Sequence, residues 1–148
     1  MSTAPTAQSS STGRSAVSLR TALTTGAVAG VIAAVVNSVI AAVARSAFDV
    51  SDDFQPLTPG PIVMWSILGA LIGAAGWRLF VNRSAGSRAL LNKLVPTVVV
   101  LSFIPDVVLL ATDAMPGATT AAVLSLMFMH LVTAVIVVTA YRRSMPTS

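Results

Sequence analysis

Polar residues in this chain are confined to a few short stretches, and the remainder is apolar in long runs. Four continuous blocks stand out, at residues 22–44, 61–77, 94–111 and 119–141. None holds a Lys or Arg, and only Asn37, Asp106 and His130 put a strongly polar group inside one. At a rise of 1.5 Å per residue the first block reaches about 34 Å, enough for a hydrocarbon core of about 30 Å. The second, from Pro61 to Trp77, is at the short end of the spanning range. Strands of a membrane barrel would alternate apolar and polar positions, and these blocks do not. Helices satisfy every backbone group within one segment, as lipid demands. The pattern therefore predicts an all-α fold: a bundle of four transmembrane helices running up-down-up-down, within a membrane domain at residues 21–143. Residues 1–20 are rich in Ser, Thr and Ala with no apolar period and are expected to be a disordered tail. Residues 144–148 form a second short tail.

The first block also ends in Ala42-Val43-Ala44, an Ala-x-Ala pattern that a signal peptidase can cut. Its apolar stretch is well above the 7–15 residues of a signal peptide, so the helix is expected to be retained.

Charge gives the orientation. The segment before the first block carries Arg14 and Arg20, and the second loop carries Arg78, Arg83, Arg88 and Lys93 without an acid. Arg142 and Arg143 follow the last block. Only Arg45 falls on the opposite side, beside Asp49, Asp52 and Asp53, and the third loop holds only Asp113. Bases near membrane ends stay in the cytoplasm. Both termini are therefore expected to be cytoplasmic, in a multi-pass protein of the plasma membrane. Trp65, Trp77 and Tyr141 lie near block ends, where such rings favour the membrane interface.

Composition narrows the function classes. Hydrophobic residues make up 55% of the chain and charged residues 9%, against about 25% charged in soluble domains. The net charge of +4 is explained by orientation, because the bases form no patch interleaved with aromatics, and no nucleic-acid partner is expected. Cys is absent and His occurs once, which removes disulfides, thiol catalysis and His-rich metal sites. No Ser–His, paired-Asp or metal-ligand constellation appears, so neither an enzyme nor a cofactor is expected.

Small residues mark candidate packing faces. Gly26-x-x-x-Gly30 lies in the first block and Gly69-x-x-x-Gly73 in the second. Close backbone approach is what holds helices together in lipid. These faces are expected to join the first two helices, with a homodimer seam as the other reading.

The polar interruptions are the candidate site. Counting residues from the block ends puts Asn37 and Asp106 at one level, about 10 Å from the outer face, and His130 about a turn deeper. Ser102 lies one turn below Asp106 on the same helix face. A cluster of Asn37, Ser102, Asp106 and His130 would bring a carboxylate and an imidazole together, a pair able to relay a proton or hold a cation. The competing reading is structural: Pro105 removes a helical hydrogen bond and kinks the third helix, and His130 serves packing.

Several of these residues form a recognisable series: Gly76-Trp77-Arg78, the basic loop, Leu101-Ser102-Phe103-Ile104-Pro105-Asp106, Thr119-Thr120-Ala121, and Met129-His130-Leu131 within residues 124–137. The series resembles an uncharacterised actinobacterial family of four-helix integral membrane proteins, domain of unknown function 6069, over roughly residues 20–142. Trp77, Ser102, Pro105 and His130 are the positions matched to it. The resemblance implies the fold and the membrane and brings no activity. Two functions are therefore carried forward. One is a membrane-embedded binding or transport component with an Asp/His pocket. The other is a non-enzymatic accessory subunit, partnered by another membrane protein or a second copy, with the bilayer itself the only other expected partner.

In this otherwise Cys-free chain the orientation is directly testable. A Cys at position 53 should react with a membrane-impermeant maleimide on intact cells, and one at position 86 only after permeabilisation. The reverse pattern would invert the protein.

Overall fold

A computed structural model describes residues 16–112 and 114–147. Arg14, Asp113 and most of the expected N-terminal tail lie outside them. Five α-helices and one short 3₁₀ turn make up the described chain: α1 (Leu19–Phe48), the turn (Gln55–Leu57), α2 (Pro59–Arg83), α3 (Ser87–Ser102), α4 (Ile104–Thr112) and α5 (Thr120–Ser144). With α3 and α4 taken together, four helical segments of 25 to 30 residues are long and apolar enough to cross a membrane.

The helices outrun the apolar blocks because polar residues at their ends are good caps. The Ser18 hydroxyl accepts from the Thr21 N–H at 3.0 Å, and the Thr119 hydroxyl from the Ala122 N–H at 3.2 Å. Asp49 closes α1 in the left-handed region at φ 48°. Pro59 and Pro61 both fall in the first turn of α2, where a missing N–H costs nothing.

Within the expected tail, residues 16–20 are described, and α1 begins among them at Leu19. Val17 is tied down before α1 begins: its N–H donates to Asn82 Oδ1, while Arg78 Nε and Asn82 Nδ2 donate to its carbonyl. At the other end Met145 is fully buried rather than part of a free tail.

α1 is the centre of the bundle, packed along α2 and then α5, while α3 and α4 lie at the edge. A Cβ on Gly26 would meet Ala74 Cβ at 3.0 Å, and one on Gly30 would meet the Ile67 Cα at 2.8 Å. These glycines therefore set the α1–α2 spacing, as read from the sequence. The expectation for α2 needs correction. Its side of the seam is Ser66, Ala70 and Ala74, spaced four apart, whereas Gly69 faces open space and Gly73 receives the Tyr141 ring. Any small residue permits close approach, so glycine alone did not mark the face.

Each end of the bundle has its own core. At the loop end, Val50, Phe54 and Leu57 from the first connection fold back onto Ala41, Ala44, Ile62 and Met129. Gly117, at φ 72°, lets the α4–α5 connection lie against Phe54, where a Cβ would come within 3.1 Å of its backbone nitrogen. Arg45, the base that breaks the charge pattern, is spent here: it donates to the Leu57 carbonyl and lies 3.2 Å from Asp52.

At the terminal end, Trp77 and Tyr141 are buried among Ala22, Ala74, Leu91 and Met145. This corrects their reading as interfacial rings. The indole N–H donates to the Met145 carbonyl at 3.0 Å and the phenol to the Ala70 carbonyl, so both polar tips are satisfied inside the protein. Trp65 alone of the three is outward, at 62% exposure.

Gly30→Ala is expected to force α1 and α2 apart and lower stability by about 1–3 kcal/mol. Gly69→Ala should leave stability unchanged or slightly raised. Thermal unfolding in detergent distinguishes the two; equal effects would displace the seam.

Candidate functional site

The third span is not one helix. α3 ends at Ser102 and α4 begins at Ile104, with Phe103 between them. Pro105 accounts for the break: it has no N–H to give and its ring crowds the preceding turn. Asp106 follows it in the first turn of α4. A helix start offers unpaired N–H groups and a positive dipole end, both favourable to a carboxylate. The break thus supplies a place inside an apolar span where an Asp is tolerable.

Asp106 is buried, at 2% exposure, and its Oδ2 lies 3.2 Å from Nδ1 of His130 on α5. The approach is close but not aligned as a hydrogen bond. The same Nδ1 lies 3.0 Å from the Leu126 carbonyl one turn back on α5. A carbonyl can only accept, so Nδ1 carries the proton, and a carboxylate is the second acceptor facing it. In the neutral ring Nε2 is then the acceptor, and it makes no hydrogen bond among the described residues. Phe103 stands edge-on to the imidazole with centroids 6.4 Å apart, which places the helix break directly against the ring.

Asn37 and Ser102 do not join this pair. Ser102 donates to the Val99 carbonyl of its own helix at 2.7 Å and closes the end of α3. Asn37 Nδ2 donates to Ser66 on α2 at 3.0 Å and to Thr133 on α5 at 2.8 Å. Counting from Ala44 sets Asn37 too shallow, because α1 runs on to Phe48 and Asn37 lies a turn deeper, at the level of Thr133. Ser66 and Thr133 are the site residues that residue type alone did not single out. The available signal was spacing: Thr133 is three residues from His130 and so shares its helix face.

Asn37 is 4% exposed and its Oδ1 has no partner among the described residues. Turning the amide over would strand two N–H donors in place of one oxygen, so this orientation leaves less unsatisfied. The two groups meet in a single cavity of about 580 Å³, whose polar lining includes Asn37, Ser66, Thr133 and His130. Its walls are Trp65, Ile62, Met129 and Pro105, and Gln55, Pro56 and Met115 of the connections stand at its loop end. No Lys or Arg lines it, and Asp106 sits behind the imidazole rather than on the wall. The chamber is mostly apolar, and the one ring nitrogen of His130 left without a partner is its free acceptor among the described residues. Among the described residues no group of three His, Cys, Asp or Glu is placed to hold a metal ion.

The family of unknown function DUF6069 matches the chain over residues 17–147. No curated protein and no solved structure matches the chain.

Proposed function

The chain belongs to the DUF6069 family, whose function is unknown, and we propose that it is a non-enzymatic, membrane-embedded binding or transport component for a small cationic or proton-donating solute. The observation that carries this reading is the Asp106–His130 pair beside a cavity with a partly polar lining in an otherwise apolar bundle. Ionisable groups inside a membrane are costly and are rarely kept without a role. The buried carboxylate faces the protonated imidazole nitrogen and leaves the other nitrogen as an acceptor toward the cavity. A solute bringing an N–H or O–H finds in the lining the acceptor nitrogen that His130 leaves unused, and the apolar walls suit a small organic body.

The bundle runs up-down-up-down in the plasma membrane with both termini cytoplasmic, so the cavity opens on the outer side. Support comes from the charge distribution: every described base except Arg45 lies at the terminal end, and Arg45 is already committed to the Leu57 carbonyl and Asp52.

Proteoliposomes test the site. The protein should dissipate an imposed proton gradient or take up methylammonium, and Asp106→Asn and His130→Gln should each reduce that flux to the level of empty liposomes while remaining monodisperse. Flux by the parent chain that both variants retain would refute the assignment.

A second reading, an accessory subunit of a larger membrane complex or a homodimer, is favoured by a separate observation. The third span is apolar yet exposed around most of its girth, with Val98, Val100, Leu101, Ile104 and Val107 all outward. The face of α2 bearing Gly69 and Gly76 is open as well. On this reading Gly69→Leu, which meets nothing in its own chain, lowers association in mild detergent without lowering thermal stability. A monomer from native membranes with no associated protein would count against it.

A further inference from the structure

Two grooves follow the seam between α1 and α5, one at each end of the bundle. The loop-end groove, about 450 Å³, is lined by apolar residues such as Val39, Val43 and Phe128, with Ser125 its one polar side chain. The terminal-end groove, about 600 Å³, has walls of Val28, Ile32 and Val135. Its mouth carries Arg143 with the hydroxyls of Thr24, Thr139 and Ser144. Arg20 is one helical turn beyond Thr24 on the same face of α1, since Thr24 Oγ1 reaches back to the Arg20 carbonyl at 2.9 Å. Arg143 of α5 therefore stands at the mouth of a slot whose length is greasy, and Arg20 of α1 lies one turn beyond that mouth.

The other arginines show why these two matter. Arg78, Arg88 and Arg142 donate to Val17, Thr147 and Asn92 and are used by the protein itself, and Arg83 lines a separate recess with Asn82 and Ser84. Arg20 and Arg143 are exposed and have no side-chain partner among the described residues, and no described acid lies at that end. A planar guanidinium presents paired donors that match phosphate oxygens, and the hydroxyls of Thr139 and Ser144 beside it add further donors. An apolar wall along a membrane-length helix is what an acyl chain would cover.

We propose that this groove is a binding site for one anionic phospholipid of the basic-end leaflet, with its phosphate between Arg20 and Arg143 and an acyl chain along Val28, Ile32 and Val135. The loop-end groove of the same helix pair, which has no base at its mouth, takes lipid tails without headgroup selection. The site is independent of the cavity between α2, α4 and α5.

Native mass spectrometry of the purified chain in detergent, offered equal phosphatidylglycerol and phosphatidylcholine, tests it. The chain should retain phosphatidylglycerol preferentially, and Arg20→Gln with Arg143→Gln should reduce that retention roughly tenfold or more, the loss of two charges at the surface. Arg83→Gln with Lys93→Gln removes the same charge away from the groove and should leave retention near the parent value. Val135→Trp, which fills the slot while keeping both bases, should lower it. Equal retention of the two lipids, or equal loss in the two double variants, would overturn the proposal.

Discussion

Two helices in lipid gain nothing by hiding apolar surface from one another, because the tails around them are equally apolar. What holds them is closeness. Gly26 and Gly30 remove side chains from α1 where Ser66, Ala70 and Ala74 present small ones on α2, and the two backbones approach to distances no Cβ would allow. Everything else hangs on that contact. Asn37 lies two turns beyond Gly30 on the same face and reaches Ser66 across the seam and Thr133 on α5. Tyr141 ties α5 to the same stretch of α2 by donating to the Ala70 carbonyl. The three-helix frame thus has a packed contact along its length and a polar pin through its middle.

The third span stands apart from that frame, and its break is the feature that makes chemistry available. A continuous helix would leave Asp106 as a carboxylate in lipid with nothing to offset its cost. Placed at a helix start and turned toward α5, it faces His130 instead. Because the Leu126 carbonyl also faces the inner ring nitrogen, the outer nitrogen is the acceptor of the neutral ring. Loose packing of α3 and α4 against the frame leaves this arrangement at the margin of the bundle.

Much of this was legible in the residues. The four apolar blocks mark the spans, Gly26 and Gly30 mark the α1 side of the seam, and Pro105 marks the break. Asp106 and His130 stand out as polar groups in greasy surroundings, and they are the pair that meets. What could not be read was facing and depth. Trp77 and Tyr141 suit an interface by type, yet whether a ring points to lipid or to protein depends on the helix rotation, which composition does not encode. Asn37 was placed a turn too shallow because capping extends α1 past its apolar block. Ser66 and Thr133 are common residues in membrane helices, and only the fold gives them a shared partner. Gly69 looked like a packing residue and faces open space, because a small-residue spacing says that a close approach is possible and not that it occurs.

The central claim is that lipid solvates these helices, since the seam, the cost of Asp106 and the use of the bases all presuppose it. Washing membranes that contain the chain with alkaline carbonate tests this most directly. The protein should remain wholly in the membrane pellet and enter the supernatant only with detergent. A folded chain recovered from the aqueous wash would contradict the account.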